Sequence, residues 1–457
     1  MKKIKIITLV LFFAVVVLPV VFFNFEANAI SEIDNRVLTE NPFRPDAEGD
    51  LTGNIESYVN DRVGLRREMI LSYTWLNDKV FGKMTHPSYS YGKEGYVFGA
   101  GVTTSGMFSQ FHVTFADMVL ELQQYCEARD IPFLFVFEPA KPAVLSEYLH
   151  DGINYSRDWV DMFFRELEQR GINYLDNTAV LQEVNDRGIA VFNPKYDANH
   201  WNDIGAYYGT EAILQRMQQM LPDTYVNSLS DFKVEEEVME YLPVSLFPIH
   251  ETVPKISLNT PYTKLTGNYA GLARHPSYPA FGYYVNEQRL AEGSPKALVF
   301  QGSYMNEAGY KFMINALGEY IHVHDYQNVI DLPYYFNIFK PDCVIFEVAE
   351  YTFAEHYFDP AAMEAIDYNQ PLAAYGQCSR KEETLAPADI AVETGETLTK
   401  LEWLCGEEAD YAWLLLDDEY DMKKTERGYE VTVPTEAWRA DGLCIVTYRD
   451  GALSYYR

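Results

Sequence analysis

The feature that most restricts the fold is a repetition, between Thr114 and Phe346, of helix-periodic segments and short uncharged runs. Residues 115–129 carry Met118, Leu122 and Cys126 at four-residue spacing, one face of a helix. Pro132-Phe133-Leu134-Phe135-Val136-Phe137 is then continuously apolar, as a strand buried on both faces is. A second helix is predicted over 157–170 from Val160, Phe163, Phe164 and Leu167, ending at Gly171, the residue type that best accepts a left-handed cap. A strand over 172–176 follows, then a helix over 202–221 closed by Pro222. From Pro222 to about Pro295 the pattern is interrupted by an acidic, proline-containing stretch that includes Glu235-Glu236-Glu237, read as an insertion. The pattern resumes with a strand over 297–300, a helix over 307–319 and a strand over 343–346. Apolar strands separated by helices, without hairpin signals, predict a three-layer α/β sandwich with a mostly parallel sheet.

The α/β domain is expected over 96–370, with the insertion at about 222–295. Residues 30–95 read as a helical lead-in that ends at the turn Gly92-Lys93-Glu94-Gly95 before Tyr96-Val97-Phe98. After Pro371 the texture changes to short strands: Leu414-Leu415-Leu416, Tyr429-Glu430-Val431-Thr432-Val433 and Cys444-Ile445-Val446-Thr447-Tyr448. Turn-like Arg427-Gly428 and Asp441-Gly442 separate them, so a small all-β module is expected over 380–457.

The N-terminus constrains location. Met1-Lys2-Lys3-Ile4-Lys5 is positive, residues 6–23 carry no charge, and Ala27-Asn28-Ala29 has the small-x-small form of a signal-peptidase site. Residues 1–29 are therefore a cleaved signal peptide or a retained membrane anchor, both readings standing at this point. Lysines before the run and none close behind it place the remainder outside the cytoplasm, anchored or secreted.

Composition excludes some functions. With 67 acidic against 36 basic residues the net charge is −31, which repels nucleic-acid phosphates and argues against an extended polyanion as substrate. The aromatic share of 15%, with 35 Tyr, excludes disorder. Cys126, Cys343, Cys378, Cys405 and Cys444 are scattered and odd in number, and none forms a C-x-x-C pair, so no disulfide framework, zinc knuckle or redox motif is indicated.

In open α/β sheets the site lies at the carboxyl ends of the strands. Gln301-Gly302-Ser303-Tyr304 stands there, directly past the strand over 297–300, where a hydroxyl is exposed and the following helix offers backbone N–H groups. Tyr196-Asp197-Ala198-Asn199-His200-Trp201-Asn202 is the second segment, with an Asp three residues before a His on the loop into a helix. Such an Asp holds the imidazole in one tautomer. Each segment alone also fits a capping loop, with Asp197 or Asn202 as the cap and Trp201 packed.

Together the two blocks resemble the SGNH-hydrolase-like O-acyltransferases, the alginate O-acetyltransferase-like and DHHW-type proteins. Asp-x-x-His is the terminal block of the wider superfamily, and His200-Trp201-Asn202 followed by Gly205-Ala206 looks like the family's signature. The His block precedes the Ser block, as in that branch, and the lead-in turn and Glu138-Pro139-Ala140-Lys141-Pro142 are also similar. Two positions depart: Ala198 stands where the family has Asp, and Gln301-Gly302-Ser303 replaces Gly-Asp-Ser or Gly-Thr-Ser. The resemblance implies a triad of Ser303 as nucleophile, His200 as base and Asp197 orienting it, with Ser303 and His200 about 3 Å apart. It implies an oxyanion site around Ser303 and Tyr304 with Asn306 as the family's Asn, and Lys141 and Trp201 as further substrate-binding candidates. It implies no metal and no cofactor, and His322-Val323-His324 reads as packed rather than coordinating. The expected partners are a polysaccharide acceptor, a membrane-bound acyl-donor protein and the membrane itself through the N-terminal segment. The expected activity is O-acyl, chiefly acetyl, transfer to a surface or secreted polysaccharide. A carbohydrate esterase with the same triad, and a catalytically weak polysaccharide-binding or assembly protein, remain the alternatives.

Overall fold

The uncharged runs do become the central strands. A computed structural model describes residues 2–26, 30–31, 36–44, 50–85, 88–101, 106–242, 247–406, 408–439 and 442–457; the Ala27-Asn28-Ala29 motif and Asp441 lie outside them. In chain order the elements used below are helices α1 (Lys2–Val21), α2 (Leu51–Arg62) and α3 (Arg66–Phe81). Then come strands β1 (Tyr89–Tyr91) and β2 (Val97–Gly99), α4 (Gln110–Glu127), β3 (Phe133–Glu138), α5 (Lys141–Val144), α6 (Asp158–Gln169), β4 (Tyr174–Asp176), α7 (Asn177–Asp186) and α8 (Asp203–Met220). The later part contains β5 (Phe232–Tyr241), β6 (Pro248–Leu258), β7 (Thr263–Lys264), β8 (Phe281–Val285), β9 (Lys296–Gln301), α9 (Tyr310–Ala316), β10 (Glu319–His324), α10 (Leu332–Phe339) and β11 (Cys343–Ala349).

Seven strands form the main sheet in the order β4-β3-β11-β9-β10-β8-β7. The first five are mutually parallel, and β8 and β7 extend the sheet antiparallel. Side chains along a strand alternate between faces, and each face has its own core. Phe133, Phe135 and Phe137 of β3 pack with α4, α6 and α10 through Phe115, Phe163 and Phe336. Leu134 and Val136 pack on the other side with α7, α8 and α9 through Leu181, Leu214 and Phe312. Cys126 and Cys343 are free thiols buried in these layers.

Three departures from the sequence expectation follow from contacts between segments apart in the chain. The stretch read as an insertion supplies two strands of the sheet, because Phe281–Val285 pairs residue by residue with β10. It also forms a long antiparallel ribbon of β5 and β6, with Glu235 opposite Lys255, whose first strand is mostly exposed. Residues 307–319 do not form one helix: the helix begins at Ser303, passes through a π-turn over Met305–Gly309, and α9 stops at Ala316. At Gly318 any Cβ would lie 2.4 Å from the Ser294 carbonyl, so only glycine lets the chain pass there and enter β10.

Among the described residues one helix, Lys3–Val21, is long and apolar enough to cross a membrane. In the lead-in, Arg62 donates to the Thr39 carbonyl at 2.9 Å and Asp61 accepts the Thr39 amide at 2.9 Å. Beyond β11 the chain forms two further sheets, with strands between Ser379 and Tyr456. They dock near the amino-terminal edge of the main sheet: Arg129, just before β3, pairs with Asp421 at 2.8 Å, and Asn337 donates to the Asp421 carbonyl at 2.8 Å.

Candidate active site

Ser303 sits directly past β9, at the carboxyl edge of the sheet. Its turn is held from below: the Gly302 amide donates to Glu347 Oε2 on neighbouring β11 at 2.7 Å, and the Asn306 amide donates to the Gly302 carbonyl at 3.1 Å. Glu347, Glu138 and Asp325 are all buried near this turn. Burial, then repulsion from Glu138 and Asp325, pushes Glu347 well above the carboxylate range, and burial pushes Glu138 up to about 8.

His200 lies on the loop before α8, which Asn202 caps by accepting the Ile204 and Gly205 amides at 3.0 and 2.9 Å. His200 Nδ1 donates to Asp197, 2.8 Å from Oδ2 and 2.9 Å from Oδ1. Asp197 takes a left-handed backbone conformation, φ 55°, and its Oδ1 also accepts the His200 and Asn199 amides at 3.0 and 3.1 Å. This bonding fixes the tautomer, leaving Nε2 as the free basic nitrogen. Burial disfavours the imidazolium, but the Asp197 carboxylate outweighs it and the net shift of His200 is upward; Asp197 is shifted downward against its own burial.

Ser303 and His200 do not touch directly. The hydroxyl of Tyr351 stands between them, 3.0 Å from Ser303 Oγ and 3.0 Å from His200 Nε2. The expected direct contact of about 3 Å is thus replaced by a line Ser303–Tyr351–His200–Asp197. Tyr351 lies on the turn Glu350–Thr352 immediately after β11. The same carboxyl-edge rule that singles out Ser303 points to this position, but no local motif marks it.

The other candidates are placed as follows. Lys141 is completely buried, and its Nζ donates to backbone carbonyls of Val97, Asn193, Pro194 and Asp197. It cannot reach a polymer or an acyl donor, which corrects the expectation of substrate contact. Burial pushes its ammonium down to about 7, against the pull of Asp197 and Glu251. Tyr304 is buried too, its hydroxyl donating to the Pro139 and Asn199 carbonyls at 2.7 and 2.9 Å, so its side chain ties loops together rather than meeting substrate. Trp201 is likewise buried, donating through Nε1 to the Tyr304 carbonyl at 3.0 Å, which joins the His and Ser segments. A Cβ on Gly209 would lie 2.2 Å from that indole, so glycine makes its room. Asn306 is half-buried and its side-chain oxygen accepts from Gln301 Nε2 at 2.7 Å. His322 is buried and stacks on Tyr284, and burial holds it down to about 3, neutral.

Beside Tyr351 opens a cavity of about 300 Å³ walled by Phe111, Trp159 and Phe353, with Tyr155 and Glu350 at its polar side. Arg157 does not face it freely, because its guanidinium pairs with Glu350 at 3.2 Å.

A hydroxyl, an imidazole and a carboxylate are thus brought into line at the carboxyl edge of a mostly parallel sheet with helices on both faces, where open α/β sheets place their sites. Residues 102–243, about a third of the chain and including Asp197 and His200, match the family described as the SGNH hydrolase-like domain of the acetyltransferase AlgX. No curated protein matches the whole sequence significantly. Similar solved structures include the O-acetyltransferase domain of Pseudomonas putida AlgJ, 15% identical over 62% of this chain and 99% of that one, TM-score 0.43. Bacillus cereus PatB1 is 13% identical over 61% of this chain and 100% of its own, TM-score 0.47. A DHHW family protein from Eubacterium siraeum is 16% identical over 62% and 96%, TM-score 0.43.

The His200–Asp197 bond has a measurable signature independent of any reaction. Because the folded imidazole is raised above 6.5, its contribution to stability is fully present below that value and is lost as pH rises through the folded midpoint. A ring titration by NMR is expected to give a midpoint above 6.5 in the native protein and a lower one in Asp197→Asn. Equal midpoints would show that Asp197 does not govern the imidazole.

Proposed function

We propose that the chain is an extracytoplasmic O-acetyltransferase that moves an acyl group to a hydroxyl of a surface or secreted polysaccharide. The observation that carries this reading is the hydrogen-bonded line from Ser303 Oγ through Tyr351 to His200 and Asp197. The family match over 102–243 and the apolar helix Lys3–Val21 support it.

The chemistry follows from the order of donors. Ser303 O–H donates to the Tyr351 oxygen, Tyr351 O–H to His200 Nε2, and His200 Nδ1–H to Asp197. As Ser303 Oγ attacks the donor's acyl carbon, its proton moves to Tyr351 while Tyr351 passes its own to His200. Burial holds the Tyr351 phenol far above its ordinary range, so no phenolate accumulates and the two transfers are concerted. The tetrahedral oxyanion is met by the first backbone N–H groups of the helix that starts at Ser303, each such donor being worth about 3 kcal/mol. Imidazolium returns its proton to the leaving group. In the second half a sugar hydroxyl passes its proton through Tyr351 to His200 and attacks the acyl-serine, and Ser303 Oγ leaves and takes that proton back from the imidazolium. A membrane-bound acyl-donor protein is the expected source of the acyl group.

The cavity beside Tyr351 is the seat assigned to the acceptor ring. Among its described lining residues there is no Lys or Arg, while Glu350 and Glu355 are present. With the nearby Arg157 already paired to Glu350, no Lys or Arg among the described lining residues is left to receive a uronate carboxylate, so an uncharged sugar is expected to be accepted better. The test is release of acetyl from an activated ester with and without neutral and uronate oligosaccharides, reading both free acetate and acetylated sugar. Acetylated neutral oligosaccharide is the expected product. Acetate alone, indifferent to any sugar, would make the protein an esterase, and no release at all would leave a binding or assembly protein.

A further inference from the structure

The loop from Asn193 to His200 has neither helix nor strand of its own, and Asp197 within it holds a left-handed backbone. Its shape must be imposed from outside. From one side comes Lys141, whose ammonium is 2.6 Å from the Asn193 carbonyl, 3.3 Å from that of Pro194 and 3.4 Å from that of Asp197. A fourth carbonyl, Val97 on β2, completes the cage at 2.8 Å, and the Phe98 ring lies 5.5 Å away. From the other side comes Glu251 on β6, accepting the Lys195 amide at 3.0 Å and the Tyr196 amide at 2.5 Å. A cation thus gathers the loop's carbonyls at 193, 194 and 197, and an anion gathers the intervening amides at 195 and 196.

This arrangement is costly and specific. A fully buried ammonium normally pairs with a carboxylate, yet every partner Nζ has within hydrogen-bond distance is a backbone oxygen of the lead-in turn or of this loop. A carbonyl cage of this kind is how proteins hold a small monovalent cation, with a tethered ammonium here in place of a free ion. The acidic partner comes from the ribbon, which also packs on Ala198 of the loop through Leu242 and Phe247 and donates from the Ile256 amide to Asp203 at 2.6 Å. The charged groups facing Lys141 are Asp197 and Glu251.

We propose that Lys141 and Glu251 form a charge clamp on the 193–200 loop, Lys141 serving as a built-in cation in a backbone cage that sets the position of Asp197 and His200. Both are positioning residues and neither meets substrate. The clamp rests on the reading of His200 as the base only where activity is measured; the ring titration stands without it.

The experiment uses the full chain with Lys141→Ala, Lys141→Met and Glu251→Gln, each checked for folding by circular dichroism and thermal melting. Lys141→Ala is expected to lose at least tenfold in acetyl release, and methylammonium chloride, which refits the emptied cage, is expected to restore most of it. Tetramethylammonium chloride at equal ionic strength, its cation too large for the cage, is expected to restore nothing. In Lys141→Met the cage is filled, so no amine rescue is expected. The His200 midpoint separates positioning from plain electrostatics: removing a nearby cation would raise it, whereas loosening the Asp197 contact lowers it. A lowered midpoint in Lys141→Ala supports the clamp; an unchanged or raised one overturns it. Loss of the Glu251 carboxylate would lower the midpoint by charge alone, so Glu251→Gln, and the case in which both Lys141 variants fail to fold, are decided by the downfield proton resonance of His200 Nδ1–H: its loss or upfield shift supports the clamp, and its persistence overturns it. A native protein that releases no acetyl would overturn the functional reading, and the titration would still decide the clamp.

Discussion

Ser303→Ala is expected to abolish covalent acyl capture, with acetyl release falling by at least about 10³-fold. The argument is one of atoms. Ser303 Oγ is the hydroxyl at the open end of the line, and its one hydrogen-bonded partner among the described side chains is Tyr351. The neighbouring Tyr304 is buried with its own hydroxyl committed to two carbonyls. Ser303 is half-buried and packs in no core cluster, so the substitution should change stability by no more than about 0.5 kcal/mol. Intact-mass spectrometry after exposure to an activated acetyl ester should show one added acetyl group on the native chain and none on the variant. An adduct of the same mass on Ser303→Ala would remove Ser303 as the nucleophile.

Tyr351→Phe is the second large effect, and it separates two roles that the geometry allows to be told apart. If the phenol carries the proton, its loss breaks the bridge between Ser303 Oγ and His200 Nε2. Acylation should then fall by about 10²-fold, the scale of lost general acid–base assistance. KM for the ester should hardly move, because the ring that walls the cavity remains. The solvent isotope effect should also drop, since two protons are in flight in the native protein and at most one in the variant. If instead the hydroxyl merely fills the place of the attacking group, Tyr351→Phe would react as fast as the native chain or faster, and the relay would be refuted.

The recognition of the family was legible in sequence because it rests on short blocks. Asp197-x-x-His200 followed by Trp201-Asn202 is a local pattern, and the match over 102–243 covers it. The helix-and-strand alternation was legible for a similar reason: a short apolar run between helix-periodic segments fits a strand in a sheet covered on both faces. Where the reading failed, the cause was a contact at long sequence separation. The helix expected over 307–319 ends early because Gly318 must pass the Ser294 carbonyl. The stretch from Pro222 to Pro295 reads as an interruption because its charges dominate the local composition, yet Phe281–Val285 completes the sheet.

Lys141 shows the same limit within the site. In sequence it is a lysine past a strand end and invites a substrate role; in the fold four carbonyls from two distant segments close over its ammonium. Tyr351 carries no motif at all, and it becomes a member of the line only because β11 lies beside β9 and delivers its following turn above Ser303. The sequence by itself determined the central parallel strands, most of the helices around them and the two chemical blocks, since each is written in side chains a few residues apart. The tertiary structure alone decided that a tyrosine separates serine from histidine and that a buried lysine shapes the loop. Distances of 3 Å between residues far apart in the chain depend on strand order and packing, which no local periodicity encodes.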